Sequence, residues 1–250
     1  MTSASVDAAG IDPDLIRGVD TLFLDAGNTV IFLEHARLAR LAGEIGFATT
    51  GEALIASEGV ANRLAETGEL VDVPWAHSGA PGARGWGRMV STILVEAGMP
   101  RALAARALEH AWPVHCAHNL WCVVPPGLGE ALDALRERGG RVVVVSNSEG
   151  MLDRLFVDLG IRGHFDAIVD SALVGVEKPD PRIFQHALGL YGKRPEQALH
   201  LGDMVATDIR GARAAGVRTA LIDPFGHVAG RHLDVPRVPG AVAVARALLA

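Results

Sequence analysis

Thr21-Leu22-Phe23-Leu24-Asp25-Ala26-Gly27-Asn28 is the stretch on which the fold turns. A short apolar run ends in a carboxylate and then in Gly-Asn, the pattern of a buried parallel strand meeting a turn. The pattern returns at Arg141-Val142-Val143-Val144-Val145, which leads into Ser146-Asn147-Ser148, and more weakly at Ala167-Ile168-Val169. It returns again at Ala198-Leu199-His200-Leu201 before Gly202-Asp203, and at Val217 to Ile222 before Asp223-Pro224. Helical spacings separate these runs. Pro126 to Arg138 sets Leu128, Ala131, Leu132 and Leu135 on one face and stops at Gly139-Gly140. Met151 to Leu159, Pro181 to Tyr191 and Asp208 to Ala215 follow the second, third and fourth strands. Such alternation makes right-handed βαβ units and predicts an α/β fold with a Rossmann-like, doubly wound parallel sheet.

One stretch breaks the rhythm. Between the first strand, to about Phe32, and the helix from Pro126 lie roughly ninety residues without a strong buried-strand run, far more than one crossover needs. Leu33 to Ile45, Glu52 to Thr67, Trp86 to Ala97 and Ala102 to Trp112 have helical spacing, and Val71 to Arg84 is a Gly/Pro/Ala-rich loop. The expected organisation is a core of residues 1–33 and 124–250 with an inserted α-helical domain at 34–123. The Ala/Leu/Val helix near the C-terminus is expected to finish the core.

Composition bounds the function. The chain has 250 residues, 49% of them hydrophobic and 21% charged, enough for one large or two modest folded domains. A net charge of −6 gives no electrostatic reason to expect nucleic acid or an anionic membrane surface. Cys116 and Cys122 are the only cysteines, which favours a reducing compartment over a disulfide framework. His115, Cys116, His118 and Cys122 lack the second, properly spaced pair that a zinc site needs. Met1 to Gly18 carries Asp7, Asp12 and Asp14 and no long apolar stretch, so no signal peptide is expected. No membrane span is expected either, and a cytoplasmic protein is the reading. Lys178 and Lys193 are the only lysines in an arginine-rich chain, which makes each position informative.

In an open parallel sheet, ligands bind at the carboxyl ends of the strands. Those ends carry Asp25, Ser146 and Asp203, and Lys178 lies in the loop opening the Pro181 helix. An aspartate after a strand is by itself often a plain turn residue or helix cap. Two carboxylates, a hydroxyl and a scarce lysine on four such segments make a site.

These segments resemble the four motifs of the haloacid dehalogenase-like (HAD) superfamily. Asp25-Ala26-Gly27-Asn28-Thr29-Val30 is similar to the first, Val144-Val145-Ser146-Asn147 to the second and Glu177 to Phe184 to the third. Gly202 to Asp208, leading into Gly211 to Gly216, resembles the fourth. The resemblance covers about residues 19–33 and 124–226, and the insert sits where the family places its helical cap domain. It implies a magnesium-dependent hydrolase of a phosphorylated small molecule. Asp25 would be the nucleophile and form an aspartyl-phosphate. Mg2+ would be held by Asp25, Asp203 and the Gly27 carbonyl, with Asp208 holding a metal-bound water or bracing Asp203. Ser146, the Asn147 N–H and Lys178 would bind phosphate oxygens, and Lys178 would also reach Asp25.

The chain departs from the family at Gly27, where HAD phosphatases carry a second aspartate that protonates the leaving oxygen and then activates water. A general acid–base is worth ~10²–10⁴-fold, about 3–5 kcal/mol of barrier. Three branches of the family lack it. Dehalogenases act without metal and differ in the fourth motif, so Gly202-Asp203 with Asp208 speaks against dehalogenation. Phosphonoacetaldehyde-type hydrolases need a cap lysine, and Glu34 to Val123 contains none. A loose group of phosphatase-like proteins with a neutral residue here is the best fit. Catalysis then needs a substrate with a good leaving group, or a proton from elsewhere. Glu34, His35, His77, His115 and His118 are the insert's candidates, and Glu34 and His35 follow most closely on the first motif. Trp75, Trp86, Trp112 and Trp121 with Arg37, Arg63, Arg84 and Arg88 could contact substrate, although such tryptophans more often pack a core. The alternative, favoured by Gly27, is a non-catalytic protein that binds a phosphorylated ligand or a protein partner.

Overall fold

The computed structural model describes residues 10–80, 82–148 and 150–250. The N-terminal segment's Asp7 lies outside the described residues. Among the described residues the chain divides into two compact units, one running up to residue 32 and including 124–224 and 230–250, the other of 33–123 and 225–229.

The first unit is built on strands β1 (Thr21–Leu24), β4 (Arg141–Ser146), β5 (Ala167–Asp170), β6 (Ala198–Gly202), β7 (Arg218–Ile222) and β8 (Arg237–Val238); two short strands form a separate pair, β2 (Phe32–Leu33), which spans the division at residues 32 and 33, and β3 (Trp121–Val123), which belongs to the second unit. The sheet order among the described residues is β5-β4-β1-β6-β7-β8, and every pairing is parallel. The architecture is the Rossmann-like α/β sheet expected. Register aligns Leu24 with Val144 on one side and Leu201 on the other, so the ends of β1, β4 and β6 come level. The chain runs outward from β1 through β4 to β5, then returns to β6 on the opposite side. This reversal makes the β1–β6 junction the switch point, where parallel sheets bind ligands. Val142 to Val145 are fully buried because helices cover both faces. Phe23, Val143, Val145 and Val169 pack against Ile183, Phe184 and Ala187 of helix Arg182–Gly189.

The expected first strand stops early. Past Leu24 the Ala26 carbonyl accepts from the N–H groups of Val30 and Ile31, both at 2.9 Å, which folds the chain into a turn. The helix expected from Asp208 instead begins as a π-helical turn, Val205–Ile209, and continues as Arg210–Ala214. Strand β8 was not apparent in the sequence, because two residues are too few to show alternation. The C-terminal helix Ala241–Ala247 packs on helix Leu128–Glu137 and completes this unit.

The second unit holds helices His35–Glu44, Gly51–Thr67, Ala83–Glu96 and Arg101–Ala117 around a core that includes Leu38, Leu54, Val90, Ile93 and Leu108. The last of these, expected over Ala102 to Trp112, runs on through Pro113, which lacks an N–H, to Ala117. Packing explains the continuation: His115, beyond the proline, is buried against the Trp86 and Trp112 rings, at 5.0 and 5.6 Å between centroids. Phe225–Ala229, expected in the core, instead belongs with the helices. Gly59 admits it, since a Cβ there would stand 3.2 Å from that of Phe225. Among the described residues no helix is long and apolar enough to cross a membrane.

Candidate active site

Three strand ends deliver the site. Asp25 follows β1 directly, and its N–H still donates to the Leu201 carbonyl at 2.9 Å. Ser146 closes β4 and Asp203 follows β6. Asp25, Asp203 and Asp208 are all buried and offer carboxylate oxygens within 4.8 Å of one another. Lys178 Nζ, also buried, donates to Asp25 Oδ1 at 2.6 Å and to Asp208 Oδ1 at 2.5 Å. Ser146 Oγ donates to the same Asp25 oxygen at 2.9 Å. The sequence-predicted residues Asp25, Ser146, Lys178, Asp203 and Asp208 are therefore together.

Asn147 acts on the backbone. Its side chain accepts from the Lys178 N–H at 2.7 Å and donates to the Lys178 carbonyl at 2.9 Å. That two-point clamp ties the lysine loop to the end of β4. Gly27 lies in the turn after β1, and among the described residues no backbone N–H donates to its carbonyl. A Cβ at Gly27 would meet nothing within 4 Å.

Asp208 is reached through the π-helical turn, a local widening that recurs at functional sites. Its Oδ2 accepts from the Met204 N–H at 3.0 Å, and its Oδ1 pairs with His200 Nε2 at 3.0 Å as well as with Lys178. Gly202 makes the approach possible, since a Cβ there would sit 2.3 Å from Asp208 Cγ. Asn28 Nδ2 donates to Asp203 Oδ2 at 3.0 Å. Asp25 Oδ2 and Asp203 Oδ1 receive no hydrogen bond from the described residues.

Electrostatics follow from burial and crowding. Burial pushes the Asp25 carboxyl up, with Lys178 opposing. Burial also drives Asp203 well above the ordinary carboxylate range, helped by the charges of Asp25 and Asp208 and opposed by the Asn28 hydrogen bond and Lys178. For Asp208 burial acts the same way, but Lys178 and His200 outweigh it and hold the carboxyl low. Burial would lower the Lys178 ammonium, yet Asp208 and Asp25 overcome it and keep it protonated. Three buried carboxylates against one lysine leave excess negative charge that a divalent cation would balance. Two carboxylate oxygens without donors, on Asp25 and Asp203, suit a hard cation such as Mg2+, so this donor set fits one.

Asn28 and His200 are missed by sequence reasoning. Asn28 reads as a turn residue and His200 as part of an apolar strand. The only signal for His200 is a titratable side chain inside a run that is otherwise buried and apolar.

In the helical unit, Glu34 Oε2 accepts from Cys122 Sγ at 3.4 Å and lies 3.6 Å from an Arg37 guanidinium nitrogen. His35 Nε2 meets the buried Glu58 Oε2 at 2.5 Å. His77 and His118 are exposed. Trp75, Trp86 and Trp112 touch one another with ring centroids 5.1–5.7 Å apart and form core packing. Arg84 pairs with Asp72 at 2.9 Å. Among the described residues, His115, Cys116, His118 and Cys122 make no metal-ligand group.

The fold is that of an α/β protein with a buried acidic cluster at the switch point of a parallel sheet. Comparison with known proteins makes that specific. Residues 19–216 match the family described as haloacid dehalogenase-like hydrolase, and the chain belongs to it. It is 34% identical over 138 residues to the bovine (Bos taurus) haloacid dehalogenase-like hydrolase domain-containing protein 3, covering 55% of each chain. It is 34% identical over 158 residues to a phosphoserine phosphatase of Thermus thermophilus, covering 60% of this chain and 62% of the relative. The chain thus spans little more than half the length of these curated relatives. Among solved structures, YfnB from Bacillus subtilis bound to magnesium superposes with a TM-score of 0.63 at 19% identity, over 92% of this chain and 98% of that one. L-2-haloacid dehalogenase from Xanthobacter autotrophicus superposes with a TM-score of 0.58 at 15% identity, over the same shares of the two chains. At these identities the two likenesses establish the fold.

Proposed function

We propose that this chain is a magnesium-dependent phosphatase acting on a phosphorylated small molecule, with Asp25 as nucleophile and the helical unit as the family's inserted cap. The observation that carries the reading is Lys178 Nζ bridging Asp25 and Asp208 inside a cluster of three buried carboxylates. A binding protein gains nothing from burying that much like charge, whereas phosphoryl transfer uses each group. The printed name of the Thermus thermophilus relative, phosphoserine phosphatase, supports the same class of reaction.

Asp203, Asp25, the Gly27 carbonyl and Asp208 would hold the Mg2+, which when bound supplies charge neutralisation to the carboxylates and to the phosphate. Asp25 attacks the phosphorus through a carboxylate oxygen, a new O–P bond forms, and the ester P–O bond breaks with its electron pair leaving on the alcohol oxygen. Water then attacks the phosphorus of the aspartyl-phosphate, the O–P bond to Asp25 breaks with its electron pair returning to the carboxylate, and inorganic phosphate leaves while the proton of the water passes to solvent. Ser146 and Lys178 hold Asp25 in one orientation, and with the Asn147 N–H they hydrogen-bond the phosphate oxygens. Asn147 keeps the Lys178 backbone in place while they do so. The leaving oxygen departs without a proton from position 27, which favours substrates with good leaving groups such as acyl phosphates.

The test is hydrolysis of p-nitrophenyl phosphate and acetyl phosphate with and without Mg2+, in the wild type and in Asp25→Asn. The expected result is activity that requires Mg2+, is greater on acetyl phosphate, and falls at least about a thousandfold in the variant. Activity indifferent to Asp25 would remove the mechanism. Saturable phosphate binding without turnover would favour the non-catalytic reading that Gly27 suggests.

A further inference from the structure

We propose that Asn28 is the positioning residue of the cation site: its side-chain amide pins one oxygen of Asp203 so that the other is presented to the metal. The inference rests on the metal-dependent reading of this site and adds a residue that neither strand ends nor spacing reveal.

The backbone supplies the first observation. Asn28 has φ +54°, in the left-handed region where glycine is easiest and asparagine is among the few side chains tolerated. Its neighbour Gly27 is a glycine without positive φ, and a Cβ there would meet nothing within 4 Å. Glycine therefore stands where the backbone does not ask for it, and a side chain stands where the backbone would prefer none. A residue held against that preference is there for its side chain.

The contacts supply the second. Asn28 is buried, and its Nδ2 donates to Asp203 Oδ2 at 3.0 Å. In the ionised form that a cation binds, a carboxylate only accepts, so the amide turns its N–H towards Asp203. Among the described residues no other side chain donates to Asp203, whose second oxygen receives no hydrogen bond. Asp25 is held by Ser146 and Lys178, and Asp208 by Lys178, His200 and the Met204 N–H. Without Asn28, Asp203 would be the one carboxylate of the three with no donor fixing its rotation. The far end of the amide is equally informative: Asn28 Oδ1 is buried with no hydrogen-bond partner among the described residues. A buried amide oxygen without a donor is costly, and a water bound to a cation would supply one.

Asn28→Gly isolates the side chain, because glycine accepts φ +54° without strain. The full-length variant and wild type are titrated with Mg2+ alone by calorimetry, and their unfolding midpoints are measured in EDTA. Mg2+-dependent hydrolysis of acetyl phosphate is followed in parallel. The expected result is a Mg2+ dissociation constant raised about 10- to 100-fold, as for other residues that orient metal ligands. The Mg2+ activation constant rises with it, so the deficit in hydrolysis is greatest at limiting Mg2+, and the midpoint in EDTA falls less than in Asn28→Ala. Asn28→Ala, which adds strain at positive φ, should lose the same affinity and also unfold earlier in EDTA. Wild-type affinity in Asn28→Gly, or a loss confined to Asn28→Ala, overturns the assignment and leaves the metal reading standing. Absence of saturable Mg2+ binding in the wild type itself overturns both.

Discussion

Gly27 is the residue where the chain's chemistry is most exposed to test. Its backbone is unstrained and the space at its Cβ is open, so an aspartate there costs little in folding. Gly27→Asp is expected to raise turnover of ordinary phosphomonoesters on the order of 10²-fold, with a smaller gain on acetyl phosphate, whose leaving group needs little protonation. Steady-state kinetics on both substrates check this, and an equal gain on the two would contradict the missing-acid argument. His115 offers a test in the helical unit. Its Nδ1 accepts the Leu120 N–H at 3.2 Å, which fixes the neutral ring, and burial, with the positive charge of Arg37, pushes its pKa down to about 4. The depressed value means that its contribution is complete above pH 6.5 and is lost as pH falls towards 4, because only the unfolded chain takes up the proton. The loss is on the order of 3 kcal/mol across that window. Urea unfolding at pH 7.5 and pH 5 should show about 2 kcal/mol of it, and His115→Gln should flatten the pH dependence. The effect at His115 was not legible in the sequence. Gly27 could be read only through a family resemblance, and the environment of His115 is made by tryptophans from three separate segments.

At the scale of elements, the β6 end and the π-helical turn act as one piece. Gly202 leaves the space that Asp208 fills, and Asp208 in turn binds the lysine from the loop before helix Arg182–Gly189. Gly202→Ala would place a methyl group into Asp208 and displace it from Lys178. The expected outcome is a stability loss of roughly 1–3 kcal/mol, as for other overpacked sites, together with a fall in Mg2+-dependent hydrolysis. Denaturant titration and kinetics measure the two, and a variant normal in both would show that the turn yields without cost. The strands were legible because a two-sided buried strand is a short unbroken apolar run, as at Val142 to Val145. The π-helical turn was not, because Val205 to Ile209 has the composition of an ordinary helix start. What widens it is the demand that Asp208 face Lys178, His200 and the Met204 N–H at once.

For the whole molecule, the two units should respond differently to the cation. The acidic cluster lies within the sheet unit, so Mg2+ held there as proposed would stabilise the state in which β1, β4 and β6 are intact. At a hundredfold excess over Kd the gain is about 2.7 kcal/mol. Hydrogen exchange with and without Mg2+ should show slower exchange in those strands and little change in helices Gly51–Thr67 and Arg101–Ala117. Asp203→Asn should abolish the difference. Uniform slowing in both units would mean that the molecule opens as a single cooperative block.

The sequence alone determined the parallel sheet, the helical insert and the identity of Asp25, Ser146, Lys178 and Asp203 as a set. These are properties of single strands and their ends, where local hydrophobicity and chain order suffice. Tertiary structure alone decided that Asn28 would hold Asp203, 175 residues away, and that His200 would share Asp208 with Lys178. It also assigned Phe225–Ala229 to the helices. Hydrogen-bond partners and carboxylate ionisation depend on which groups become neighbours once water is excluded, and no single stretch of chain carries that information.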